Sequence, residues 1–81
     1  MILSDTMDMS RYELEIKHHA FIQAMKRGIS PDLIEDTIIN GKLVHYGKHG
    51  IKFVKKGKRT IICVGQMIGN RIKIFTVEEE T

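Results

Sequence analysis

The sequence predicts an α+β domain: one strand, two helices, then a four-stranded antiparallel meander, with the helices on one face of the sheet. Three observations lead there. Apolar residues alternate with polar ones over 12–17, the spacing turns helical up to Asn40-Gly41, and from Lys42 to Val77 the period returns to two, broken by glycine-containing turns. Strands that follow a pair of helices, and do not alternate with helices, favour a sheet covered by helices over a doubly wound parallel one.

Taken in order, residues 1–10 hold three methionines and no sustained period. They read as an N-terminal arm or a short added strand, with Met7 and Met9 as alternative starts. Tyr12, Leu14 and Ile16 then alternate with Glu13, Glu15 and Lys17, the pattern of a strand with one buried face. His18 continues the buried phase and His19 starts the first helix. That helix ends at Gly28, the residue best suited to a left-handed C-cap, with Lys26 and Arg27 well placed against its dipole. Phe21, Ala24 and Met25 are expected to face the core. His19, Gln23 and Arg27, at i, i+4 and i+8, share a polar arc of roughly 80°.

Ser30-Pro31-Asp32 opens a second helix as N-cap, N1 proline and first-turn acid, and Leu33, Ile34, Thr37 and Ile38 give its apolar face. Strands are expected at 43–46 and 51–55, joined by a turn at 47–50, with Ile51 and Phe53 on one face and Lys52 and Val54 on the other. Lys56-Gly57 makes the next turn. The β-branched run 59–64 leaves neither face polar and is expected at the centre of the sheet. Gly57 and the glycines of 65–69 read as turn glycines. After Gly69-Asn70, residues 71–77 close the sheet with Ile72 and Ile74 inward and Arg71 and Lys73 outward. The domain is thus read as 11–77, followed by an acidic tail at 78–81.

At 81 residues only one core can form, and 42% apolar with 28% charged residues is the balance of a folded chain rather than a disordered one. The apolar runs are too short for a membrane span, and the first ten residues, with Asp5 and Asp8, lack the pattern of a signal peptide, so a cytoplasmic location is expected. Cys63 is alone, which excludes a disulfide framework and favours an inert thiol. The net charge of +3 conceals a strong asymmetry. Residues 1–36 hold seven acids against four Lys or Arg, whereas 37–77 hold nine Lys or Arg and no acid. A concentrated basic half on so small a domain is the footprint of a polyanion binder, nucleic acid foremost; its alternative is a solvated sheet face.

The segment Lys17-His18-His19-Ala20, followed after Phe21-Ile22-Gln23-Ala24-Met25 by Lys26-Arg27-Gly28-Ile29-Ser30-Pro31-Asp32-Leu33-Ile34-Glu35, resembles the opening of an uncharacterised family of small bacterial and archaeal domains, read as Ser/Thr-Lys-His-Ala…Arg-Gly-Ile. That family is similar to the RelE and BrnT toxins, whose strand, two helices and antiparallel sheet serve to cleave RNA. The likeness spans roughly residues 12–77 and rests on His19-Ala20, Arg27-Gly28-Ile29 and a closing strand with Thr76. It implies a RelE-like fold, a toxin-antitoxin setting with a cognate antitoxin protein, RNA that is ribosome-associated or free, and endoribonuclease activity by metal-independent attack of the 2′-hydroxyl. Two positions depart from the pattern: Gln23 stands where a basic residue is frequent and Lys17 where Ser or Thr is. A catalytically silent nucleic-acid- or protein-binding module on the same fold is therefore the alternative.

Metal-free RNA cleavage needs proton transfer at the 2′- and 5′-oxygens and cations on the charged phosphorane. His19 is the first candidate acid or base because its unperturbed pKa lies nearest neutrality, with Lys17 and Arg59 completing the catalytic set. The competing role for His19 is a cap at the strand-helix junction. Gln23, Arg27, Lys52, Arg71, Lys73 and Thr76 are the phosphate-binding candidates, Arg27 competing with a role against helix carbonyls and Thr76 with that of ordinary strand threonine. The turn lysines Lys48, Lys55, Lys56 and Lys58 rank below the strand cations, being less rigidly held. His45 and Tyr46 point to opposite faces, so at most one joins any one site. The four histidines lack the spacing of a zinc site, and neither a metal nor another cofactor is expected.

Overall fold

The computed structural model describes residues 11–80. The 1–10 arm and Thr81 lie outside the described residues. The domain is α+β, with two helices and a five-stranded sheet: β1 (Glu13–Ile16), α1 (His18–Lys26), α2 (Pro31–Asn40), β2 (Lys42–Tyr46), β3 (Gly50–Lys55), β4 (Thr60–Ile68) and β5 (Arg71–Glu80). The strand order is β1-β5-β4-β3-β2, so β4 is central as its two apolar faces suggest.

The expected antiparallel meander is formed by β2 to β5, and the sheet as a whole differs from an all-antiparallel one only at β1. The sheet is mixed, because β1 pairs parallel with β5, aligning Glu13 with Arg71 and Glu15 with Lys73, while the other three pairings are antiparallel. A period of two records which face a side chain takes and is the same in either direction, so the direction of β1 had no signature in the sequence. As an edge strand β1 is also thinly covered: Ile16 is half-buried and Leu14 exposed.

Local chemistry explains the helices. Lys17 is the N-cap of α1 but makes no side-chain cap, and α1 begins at His18, one residue earlier than expected. Its end is a paired cap in which Gly28, at φ +72°, donates to the Met25 carbonyl at 3.1 Å and Ile29 to the Ala24 carbonyl at 2.8 Å. Ser30 accepts from the Leu33 N–H at 3.2 Å and Pro31 opens α2, as expected. The Thr37 hydroxyl, though buried, donates to the Leu33 carbonyl at 2.7 Å.

The core joins Ala20 and Ala24 of α1, Ile29, and Ile34 and Ile38 of α2 to Ile51, Phe53, Ile61, Cys63, Ile72, Ile74 and Val77. Register places Phe53, Cys63 and Val77 side by side, so the buried sheet residues share one face, while Lys52, Val54, Ile62, Val64 and Thr76 of the alternate positions stay half-buried. Met25, expected in the core, is 49% exposed, because the helix turns its small Ala20–Ala24 strip toward β5 for close approach.

Two further differences concern the last strands. Gly65 is not a turn glycine but a buried residue of β4, at a bulge where the register slips between Val64↔Thr76 and Gly65↔Ile74. A Cβ there would sit 1.8 Å from the Lys73 carbonyl oxygen, so only glycine allows this approach. β5 runs past Val77 through Glu78 and Glu79 to Glu80, so the expected acidic tail is ladder as far as it is described.

Candidate nucleic-acid interface

The expected catalytic set is divided between the two ends of α1. His19 lies exposed in its first turn, and Lys17 just before it is ion-paired to Glu15 at 2.9 Å. Arg59 holds the opposite end. Its Nε and Nη2 donate to the two Glu79 oxygens at 2.7 and 2.8 Å, and its Nη1 and Nη2 donate to the Gly28 and Arg27 carbonyls at 3.0 and 3.2 Å. Arg59 lies in the β3–β4 turn and not, as expected, on the strand, and its fork ties that turn to β5 and to the residues that end α1; the hydrogen bond to Glu79 raises the Arg59 pKa while lowering that of Glu79. Eight residues of helix separate His19 from Arg27, about 12 Å along the axis. The structure therefore groups Lys17 with His19 and leaves Arg59 apart from them.

Gln23 and Arg27 also differ in setting. Arg27 is exposed, whereas Gln23 is half-buried beside Ala20 and Ala24, with its Oε1 enclosed and without a hydrogen-bond partner among the described residues. The polar arc read from the sequence is open at His19 and Arg27 and closed between them.

On the sheet, the parallel pairing of β1 brings carboxylates beside the cations of β5. Arg71 Nη2 meets Glu13 Oε2 at 3.2 Å, and Lys73 stands opposite Glu15. The hydrogen bond from Lys17 chiefly lowers the Glu15 pKa, with further help from Lys73 and Arg71. Asp36 of α2 likewise takes Lys55, whose hydrogen bond, aided by that of Asn40, lowers the Asp36 pKa. Thr76 is half-buried opposite Val64.

On the β2–β3 side the acid that meets a cation among the described residues is Asp36, at Lys55. Lys42, Lys48 and Lys52 of the β2–β3 hairpin, with Lys56 and Lys58 of the next turn, make no hydrogen bond or ion pair among the described residues. Tyr46, 46% exposed, lies across Gly50, its cross-strand partner: a Cβ on Gly50 would fall 2.5 Å from the ring carbon Cε2. The missing side chain lets the ring lie down on the sheet with its outer surface free. Lys52 follows Gly50 by two residues on β3, and Lys48 lies in the adjoining turn. Phe75, left unpaired by the bulge on β5, is a second exposed ring. Sequence reasoning weighed Tyr46 only as an alternative to His45 at any one site and gave it no stacking role; the available signal was a glycine opposite an aromatic across a short turn.

Cys63 is buried in β4, and burial pushes its thiol up to about 12, where it is inert at neutral pH. Among the described residues no three His, Cys, Asp or Glu side chains gather as a metal site. No described helix is long and apolar enough to cross a membrane. An open cleft of about 240 Å³ lies between α2 and the β3–β4 turn, lined by Leu33, Asp36, Thr37, Gly57 and Ile61 and rimmed by Lys55, Lys56, Lys58 and Arg59. No protein-family model, no curated protein and no solved structure matches the chain.

Proposed function

We propose that this domain binds single-stranded RNA on the β2–β3 side of its sheet, on a RelE-like arrangement in which both helices cover one face and leave the other for the strand. The observation that carries the reading is the Tyr46 ring lying over Gly50 between Lys48 and Lys52. A flat ring with a free face stacks an unpaired base of any identity, and cations on either side meet the phosphates that flank it. Lys42 continues the cationic line four residues from Tyr46 along β2. Alternate strand residues stand about 6.7 Å apart, so these groups form a track rather than a point.

Fluorescence anisotropy with a labelled single-stranded RNA tests this. Tyr46→Ala should weaken binding by about 1–3 kcal/mol, the worth of one stacked base. Wild-type affinity should fall steeply between about 50 and 200 mM salt. Unchanged affinity in both Tyr46→Ala and a Lys42→Ala/Lys52→Ala variant would sink the reading.

A second reading, endoribonuclease action of the RelE or BrnT kind with a cognate antitoxin as partner, is favoured by one observation: His19 is exposed at the start of α1 beside Lys17. His19→Ala should then lower RNA cleavage by about 10² or more with little change in melting temperature. If His19 serves only to join strand to helix, the substitution lowers stability by roughly 1 kcal/mol and leaves cleavage per molecule intact.

A further inference from the structure

We infer that the cleft between α2 and the β3–β4 turn is a second binding site, for a single nucleotide carrying a terminal phosphate, separate from the RNA track. Its floor is apolar: Leu33 and Ile61 line it, and Thr37 has its hydroxyl spent on the Leu33 carbonyl, so no unsatisfied donor meets a flat ring placed there. Its rim is cationic. Of the four cations, Lys55 is matched by Asp36 and Arg59 by Glu79, which leaves Lys56 and Lys58 on either side of Gly57 uncompensated. Two uncompensated charges suit a phosphate monoester, which carries close to two negative charges at neutral pH.

The matched pairs have a further part. Asp36 and Glu79 are both held below their ordinary pKa by the cations they accept from, so they stay charged at neutral pH and keep Lys55 and Arg59 fixed as walls. Lys56 and Lys58 are exposed and can close over a phosphate. An apolar floor beside a paired and an unpaired set of cations is the composition of a small-ligand site: a low-polarity body with few charged groups that fix orientation. Lys55 and Ile61 face each other at core-side positions of β3 and β4, whereas Lys52 and Tyr46 occupy the alternate positions. The cleft and the track thus lie on opposite faces of the sheet.

The nucleotide can be free or the phosphorylated end of an RNA strand, and the chemistry recognised is the same. Titration of the ¹⁵N-labelled protein with AMP, adenosine and inorganic phosphate tests the site. AMP should shift the amides of Leu33, Thr37, Gly57 and Ile61 and bind at least about tenfold more tightly than either fragment, because each fragment engages one half of the cleft. Lys56→Ala/Lys58→Ala should weaken AMP binding by about tenfold or more with the melting temperature unchanged. A 5′-phosphorylated oligonucleotide that shifts the same four amides, where its 5′-hydroxyl counterpart does not, assigns the strand end as the source; AMP alone doing so assigns the free nucleotide. AMP binding no tighter than phosphate, equal binding by the double variant, or AMP shifts confined to Tyr46 and Lys52 would overturn the inference, whatever the outcome for RNA.

Discussion

The two lateral halves of the sheet each present two cations at the positions opposite the core, Arg71 and Lys73 on β5 and Lys42 and Lys52 on β2 and β3, but they differ in what stands beside them. Beside β5 runs β1, with Glu13 against Arg71 and Glu15 against Lys73. Beside β2 there is no further strand, and the hairpin contains no acid. Two cations on each side thus give one side where Glu13 pairs with Arg71 and Glu15 stands beside Lys73, and one side with free charge. A charge at 4 Å in a surface setting is worth several times one a Debye length away, so the neighbouring strand, more than the total of +3, decides where a polyanion is attracted.

The largest expected effect breaks the compensated side mechanically. Gly65→Val places a side chain in the Lys73 backbone at the bulge and should destabilise the domain by about 3 kcal/mol or more, read from urea denaturation. Hydrogen exchange separates two versions of that result: loss of protection in β5 and β1 with the β2–β3 hairpin retained means that the halves are separately cooperative, and uniform loss means that they are one unit.

Next in size is the contrast in the proposed RNA binding. Lys42→Ala/Lys52→Ala should reduce the slope of log affinity against log salt by about 1.4, two phosphate contacts on a single strand, and Arg71→Ala/Lys73→Ala by less than half of that. Equal losses from both pairs would erase the distinction between the sides. Removing the compensation sharpens it instead: Glu13→Gln/Glu15→Gln should steepen the salt dependence and raise affinity, because Arg71 and Lys73 then face the RNA without carboxylates. No change in slope would mean that RNA never reaches β5.

The smallest effect is on stability against pH. Glu15, Asp36 and Glu79 are each held below their ordinary pKa, first of all by hydrogen bonds from Lys17, Lys55 and Arg59 respectively. Between the folded and unfolded values the unfolded chain binds more protons, so stability rises with pH there. The contribution is complete at neutral pH and is lost as pH falls below the ordinary carboxylate range of about 4. Melting temperatures between pH 7 and 3 should show the decline, and Glu79→Gln should flatten it. Because Glu15 is exposed and Asp36 and Glu79 are only half-buried, the change is small and weaker at high salt.

Much of the fold was legible in the chain because its signals are local. Ser30-Pro31-Asp32 opened α2 and Gly28 closed α1, since caps act within one turn of helix. Ile51 and Phe53 went inward and Lys52 outward, and the run from Ile61 to Val64 found the centre of the sheet, since alternation and branched side chains report burial directly. The site was legible only in part. His19 is exposed and Lys52 and Arg71 are strand-borne, as read from the chain, but Arg59 proved to be a fork between Glu79 and the carbonyls of Arg27 and Gly28, contacts 20 to 32 residues away in sequence. Gln23 shared an arc with His19 and Arg27 on a helical wheel, yet its Oε1 is enclosed, because the wheel does not say which of two adjacent strips the sheet covers.

By itself, then, the sequence determined the kinds and limits of the elements, the central place of the β-branched strand and the presence of a basic half, since each depends on residues close together in the chain or on composition. Tertiary structure alone decided that β1 lies parallel to β5, that the β4–β5 bulge requires Gly65, that Tyr46 lies over Gly50, and which lysines meet a carboxylate. The physical reason is common to all four: each is a pairing of particular neighbours across strands or between elements, and side-chain periodicity fixes a face without fixing the neighbour on that face.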